Sequence, residues 1–86
     1  MIALDTPTRK ITCADGFSFW ACARWHDGCK RIGDTLTHIE LQPCMAHPFG
    51  ERFNRYRSPG PNGPRWAYVP VEVVEAEIQA HGGLAK

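Results

Sequence analysis

Hydrophobic and polar side chains alternate along residues 17–26, which read FSFWACARWH. If this segment is extended, one face carries Phe17, Phe19, Ala21, Ala23 and Trp25, and the other carries Ser18, Trp20, Cys22, Arg24 and His26. A period of two with one apolar face is typical of a half-buried antiparallel strand. The run RKITC precedes it, and Asp15-Gly16 between the two runs is a strong turn signal. We therefore predict a β-hairpin over residues 10–25.

Two later segments have the composition of strands. TLTHIELQP, residues 35–43, places Ile39 and Leu41 on one face and ends at a proline. RWAYV, residues 65–69, is the second such segment. Residues 43–65 between them are rich in proline and glycine, which predicts a long loop, and loops of that length in small domains are often functional. The segment HDGCKRIGD, which precedes both, is also predicted to be a loop.

The C-terminal part of the chain has the periodicity of a helix. Val71, Val74 and Ile78 repeat at helical spacing and form one apolar stripe. Gly82 follows them in a position suited to a left-handed C-terminal cap. We predict a helix over residues 70–81 that buries this stripe against the sheet.

These elements predict one α+β domain over residues 1–86, with residues 1–8 as a loose N-terminal arm. The expected fold is a small antiparallel sheet of three to four strands with one C-terminal helix packed on one face. A single helix covers only one face of a sheet, so the face carrying Trp20 is left to solvent, the long loop, a partner or a second copy. A homodimer through that face is one expectation.

The composition mainly excludes classes of protein. A chain of 86 residues with a net charge of +1 is not a nucleic-acid binder of the strongly basic class, although a local basic patch is compatible with it. No apolar run of about eighteen residues occurs, so we expect no membrane span. The N-terminal residues lack the pattern of a secretory signal, so we expect a cytoplasmic protein with reduced cysteines.

Four cysteines and four histidines raise the question of a metal site. The residues that could supply the four ligands of zinc are Cys22, His26, Cys29, Cys44 and His47. Neither a C-x2-C pair nor an H-x3–5-H pair, which are typical of structural zinc sites, occurs in the sequence. Cys22 and His26 would be about 13 Å apart along a strand, too far to share one ion. We therefore predict that the protein has no cofactor, and we keep a zinc site as the weaker alternative. The least favoured hypothesis is a thiol enzyme that uses Cys22 or Cys29.

The predicted long loop interleaves arginines with aromatic side chains. The residues concerned are Arg52, Phe53, Arg55, Tyr56, Arg57, Arg65 and Trp66. Arginine binds carboxylates and phosphates in a bidentate manner, aromatic rings stack on bases, and both types dominate protein–protein hot spots. We predict these seven residues as the contact surface for a protein partner, with nucleic acid as an alternative. The structural alternative is a solvated loop whose arginines pair with Glu72, Glu75 or Glu77.

Two blocks frame the less regular middle of the chain. They are ITCADGFSFWACA, residues 11–23, and YVPVEVVEAEIQAHGG, residues 68–83. Both resemble short uncharacterised proteins encoded by tailed phages and prophages, which open with a strand, a turn ending in Asp-Gly-Phe and a second strand, and close with a Val-Pro helix ending in His-Gly-Gly. The resemblance implies a small cytoplasmic protein that acts by occupying a host protein's surface, as anti-CRISPR and other anti-defence inhibitors do.

The sequence-based hypothesis is thus a non-enzymatic phage-type protein that binds a host protein, with inhibition of a host defence complex as its specific form. The alternative is a zinc-stabilised nucleic-acid-binding module, in which the Cys/His residues hold the metal and the arginines contact phosphates.

Overall fold

The computed structural model describes residues 8–24, 28–44, 49–60 and 63–85. The strands are β1 (Thr8–Thr12), β2 (Ser18–Cys22), β3 (Lys30–Ile32), β4 (Thr35–Pro43), β5 (Arg57–Gly60) and β6 (Gly63–Pro70). A 3₁₀ helix covers Glu51–Tyr56, and the helix α1 covers Val71–Ala80. The fold is α+β, an antiparallel sheet followed by a C-terminal helix, as the sequence predicted. The predicted count of three to four strands is wrong, because the described residues form six.

The strand β4 is the centre of the sheet. The strand order is β1-β2-β4-β6-β5, and every pairing is antiparallel. The second half of β4, residues 40–43, pairs with β2, and its first half, residues 35–38, pairs with β3. A strand of nine residues is long enough to pair with two other strands in succession, so β4 connects β3 to the β1–β2 pair.

The predicted first hairpin is confirmed. Strands β1 and β2 pair with Ile11 opposite Phe19, and the turn between them contains Gly16 with φ +95°. The N–H of Cys13 donates to the carbonyl of Phe17 at 2.7 Å, which closes the hairpin. The carboxylate of Asp15 accepts the N–H of Phe17 at 3.0 Å. Aspartate and glycine therefore act in this turn as their chemistry predicts.

The helix α1 packs on one face of the sheet, against β4 and β6. Val74 and Ile78 are fully buried and Val71 is partly buried, which confirms the predicted apolar stripe. The larger side chains of this core are Ile11, Phe17, Phe19, Ile39, Leu41, Phe49, Phe53, Trp66, Val69, Val74 and Ile78. The part of the chain described contains no helix long and apolar enough to cross a membrane.

Glycine ends the helix as predicted. Gly82 has φ +88°, and its N–H donates to the carbonyl of Gln79 at 3.0 Å. The N–H of Gly83 donates to the carbonyl of Ile78 at 2.9 Å, which completes a Schellman motif. The carbonyl of Gly83 also accepts the N–H of Ala14 at 2.8 Å, so the end of α1 is joined to the β1–β2 turn.

A polar contact reinforces this junction. Nδ1 of His81 lies 2.6 Å from Oδ2 of Asp15, and the imidazole stacks on the ring of Phe17 with centroids 4.0 Å apart. The hydrogen bond from the N–H of Phe17, followed by that from His81, lowers the pKa of Asp15. Since the folded-state pKa lies below the ordinary value of about 4, the stabilisation is present above that pH and is lost as the pH falls through the lowered pKa.

The prediction of a structureless loop over residues 43–65 is wrong. This stretch contains the 3₁₀ helix, the strand β5 and the start of β6, while residues 45–48 and 61–62 lie outside the described residues. Its aromatic side chains fold it, because Phe49 and Phe53 join the core. Proline is tolerated on an edge strand, where the missing N–H would face outward, and Pro59 lies on the edge strand β5.

Two other predicted irregular segments also contain strand. The segment HDGCKRIGD includes β3, whose three residues are all exposed and therefore give no apolar period to recognise. A turn at Gly33, with φ +61°, returns the chain into β4. Of the predicted N-terminal arm, Thr8 belongs to β1, and residues 1–7 lie outside the described residues.

Candidate functional site

The 3₁₀ helix is anchored to the core by one aromatic side chain. Phe53 has an exposed fraction of 0%, and its ring centroid lies 5.0 Å from that of Phe49. Tyr56 also lies against Phe53 in an edge-on arrangement, at 6.4 Å between ring centroids. Phe53 therefore holds the segment in place, and the prediction that it contacts a partner from the surface is corrected by its burial.

An ion pair gives the 3₁₀ helix a second attachment. The guanidinium of Arg52 pairs with the carboxylate of Glu77, which is buried on α1. The same guanidinium lies over the Phe53 ring, 5.6 Å from its centroid. This pairing is one that the solvated-loop alternative anticipated, and it commits Arg52 to a contact within the chain.

Three consecutive residues at the end of this segment, Arg55, Tyr56 and Arg57, form what we call the arginine ridge. Both arginines are exposed and Tyr56 is half-buried. The guanidinium of Arg55 lies 5.8 Å from the centroid of the Tyr56 ring, within the range of a cation–π contact. The ridge thus presents two cations and one aromatic ring on a segment that the buried Phe53 and the Arg52–Glu77 pair attach to the rest of the domain.

The last two predicted contact residues belong elsewhere. Trp66 is buried, with its ring centroid 4.8 Å from that of Phe49, so it packs in the core. Arg65 donates to Oε1 of Glu40 at 2.7 Å. Of the seven predicted contact residues, those that lie on the outside are the arginine ridge and Arg52, which is exposed but paired with Glu77. Sequence reasoning could not separate these roles, because burial of an aromatic in a Pro/Gly-rich stretch is decided by packing.

The sheet face opposite α1, which we call the second face, contains a buried carboxylate that sequence reasoning missed. Glu40 has an exposed fraction of 2%. Its Oε1 accepts the N–H of Gly28 at 2.8 Å as well as the guanidinium of Arg65, and its Oε2 accepts Nε2 of Gln42 at 2.9 Å. Burial of a charged carboxylate is tolerated because it is paired and hydrogen-bonded. The sequence carries no signal of this burial, because a Glu between two core residues, Ile39 and Leu41, normally lies on an exposed face of a strand.

A β-bulge lies beside Glu40. The register moves from Ile39 opposite Val69 to Leu41 opposite Trp66, so β6 has two residues where β4 has one. One of them, Tyr68, has φ +55° and is 56% exposed. A bulky residue in the left-handed region is strained, and such strain clusters at functional sites.

Gly28 closes over this bulge. Its carbonyl accepts the N–H of Tyr68 at 2.8 Å, while its own N–H donates to Glu40. A Cβ at this position would lie 2.8 Å from Cβ of Ala67, so only glycine fits. Gly28 is therefore held against the second face by hydrogen bonds to both Glu40 and Tyr68.

The rest of the second face carries one row of polar and aromatic side chains. Lys10 on β1 is paired with Trp20 on β2, and Trp20 is paired with Gln42 on β4. Trp20 is 40% exposed and Lys10 is exposed. The predicted placement of Trp20 on the face opposite the helix is thus confirmed, whereas Cys22, two residues along, is buried.

The candidate zinc ligands are placed differently from one another. Cys22 is buried, Cys44 is half-buried, and the thiol of Cys29 donates to the carbonyl of Arg24 at 3.3 Å. His26 and His47 lie outside the described residues. Within the described ranges, no three His, Cys, Asp or Glu side chains are grouped as a metal site would need. Burial, followed by the nearby carboxylates of Asp15 and Glu77, raises the pKa of the remaining cysteine, Cys13.

Comparisons of the chain with protein-family models, curated proteins and solved structures find no match. The arginine ridge and the second face are therefore interpreted from their own chemistry.

Proposed function

We propose that this chain is a non-enzymatic cytoplasmic protein that binds a host protein through the arginine ridge. Inhibition of a host defence complex is the specific form that the resemblance to phage proteins implies. The observation that supports the proposal is the arrangement of the exposed Arg55 and Arg57 on either side of the half-buried Tyr56, on a segment that Phe53 and the Arg52–Glu77 pair hold in place.

The side chains of the ridge are those that contribute most at protein interfaces. Arginine and tyrosine are enriched among residues whose truncation costs the most binding energy. Tyr56 offers a large, stiff contact area, and the two guanidiniums can bind carboxylates in a bidentate manner. An acidic patch on the partner, with an apolar spot for the tyrosine ring, is the surface that this chemistry fits.

Anchoring of the ridge favours affinity. Binding normally requires ordering of loops and side chains, which opposes association. Because Phe53 is fully buried and Arg52 is paired with α1, the backbone under the ridge is already positioned. The contact of Arg55 with Tyr56 restricts both side chains before a partner arrives.

The test is to capture partners from host lysate with the tagged protein and to measure affinity for each purified partner by calorimetry. We expect Arg55→Ala and Tyr56→Ala each to weaken binding on the order of tenfold. Lys30→Ala, which removes an exposed cation on β3, is the matched control and should bind normally. Unchanged affinity of both ridge variants, with native circular dichroism, would contradict the assignment.

A further inference from the structure

We infer that the second face carries a binding site for single-stranded nucleic acid, centred on the row Lys10–Trp20–Gln42. This inference goes beyond the proposed function and uses other elements, since the row lies on β1, β2 and β4 while the ridge lies on the 3₁₀ helix and β5. The two proposals therefore stand or fall separately.

Sheet geometry makes the row a continuous strip. Directly opposed residues of an antiparallel pair have Cβ atoms about 5 Å apart and project to the same side. Lys10, Trp20 and Gln42 occupy one such line across three strands. With 40% of its surface exposed, Trp20 presents an aromatic ring at the middle of that strip.

Each member of the row supplies one part of nucleotide recognition. An exposed indole ring stacks on a base, and every base has a π-face, so the contact tolerates any sequence. The ammonium of Lys10 binds phosphate. Gln42 donates one N–H to Oε2 of Glu40, which orients its amide and leaves its carbonyl oxygen and second N–H for a base edge. A stacked base must be out of a duplex, which favours a single strand.

The distribution of charge favours an anionic ligand on this face. Glu40, a carboxylate on this face, is buried and accepts from Arg65, while the alternation of β4 and the pairing of Lys30 with His38 place Lys30 on the same side. The acidic side chains Glu72, Glu75 and Glu77 lie on α1, across the sheet. A second copy of the chain docked face to face would bring like charges together, which opposes that occupant.

The experiment measures fluorescence anisotropy of labelled oligothymidylate and oligouridylate of about 12 nucleotides over a range of salt concentrations. We expect binding to both probes, with Trp20→Ala raising Kd on the order of tenfold and Trp20→Phe raising it less, because phenylalanine still stacks. Lys10→Ala should weaken binding and reduce the slope of log Kd against log salt by about 0.7, the contribution of one phosphate contact.

Two control variants distinguish binding at the row from binding elsewhere on the protein. Ile32→Ala removes an exposed apolar side chain outside the row, and the double variant Arg55→Ala/Tyr56→Ala truncates two of the three ridge residues; both variants should bind the probes as wild type does. Equal affinity of Trp20→Ala and wild type for the probes would overturn the inference. It would also be overturned if polyglutamate displaced the labelled probe as effectively as unlabelled oligothymidylate does. A dimer in sedimentation that Trp20→Ala dissociates would also overturn it, because a second copy would then occupy the face.

Discussion

The two faces of the sheet are formed by the same strands but are stabilised by different interactions, apolar packing on one and hydrogen bonds on the other. Beneath α1, alternate residues of β2 and β4, together with Trp66 and Val69 of β6, are apolar and pack with the rings of Phe49 and Phe53. The intervening residues of these strands point to the second face. They include Glu40, whose buried carboxylate is hydrogen-bonded, and Trp20, which lies in an exposed row. Apolar packing is non-directional, whereas the Glu40 network requires each donor in one position.

In this small domain one face of the sheet contributes mainly to stability, and the other determines local geometry. The helix-covered face provides most of the stabilisation, because buried apolar area is the main favourable term in folding. The second face fixes details: the register of β6, the bulge at Tyr68 and the path of the chain at Gly28. Binding at the arginine ridge or at the second face therefore depends on the helix-covered face for the stability of the fold. It depends on the register, the bulge and the position of Gly28 for the shape of the surface.

The largest expected effect is on the helix-covered face. Phe53→Ala should lower the free energy of unfolding by about 3–5 kcal/mol, because it removes a fully buried ring and leaves a cavity. Urea denaturation measures this, with Phe53→Leu as the control that keeps most of the volume and loses less than about 1.5 kcal/mol. A loss under about 1 kcal/mol for the alanine variant would show that Phe53 does not anchor the 3₁₀ helix.

A smaller effect is expected at the centre of the second face. Glu40→Ala should cost about 2–4 kcal/mol, because Gly28, Gln42 and Arg65 each lose an acceptor, while the partly exposed Arg65 can regain water. Denaturation of Glu40→Ala, Arg65→Ala and the double variant gives the coupling between the two. Strictly additive losses would mean that the ion pair contributes nothing to the network.

The smallest effect is expected at the bulge. Tyr68→Gly should stabilise the fold by about 0.5 kcal/mol, because relief of a left-handed conformation slightly exceeds the entropy that glycine adds to the unfolded chain. Tyr68→Val is the control and should destabilise by about 1 kcal/mol, since a β-branched residue suits this conformation least. Thermal unfolding measures both, and a stabilising valine would show that Tyr68 is not strained.

Part of the candidate site could be predicted from the sequence and part could not. Arginine and aromatic residues around Arg55 marked the ridge, and period-two alternation placed Trp20 on the face away from the helix. The sequence did not show that Phe53 and Trp66 are core residues, because their Pro/Gly-rich surroundings have no periodicity. Nor did it reveal Glu40, since a charged residue between two apolar ones normally marks an exposed position.

Local chemistry determined the elements whose signals lie within a few residues. Asp15-Gly16 defines a turn, alternation defines β2 and β4, and the spacing of Val71 to Ile78 with Gly82 defines α1 and its end. Tertiary structure alone decided the rest: the pairing of β6 with β4, the burial of Phe53 and the bulge opposite Glu40. The physical reason is that these features depend on contacts between residues distant in sequence, whose energies no local pattern records.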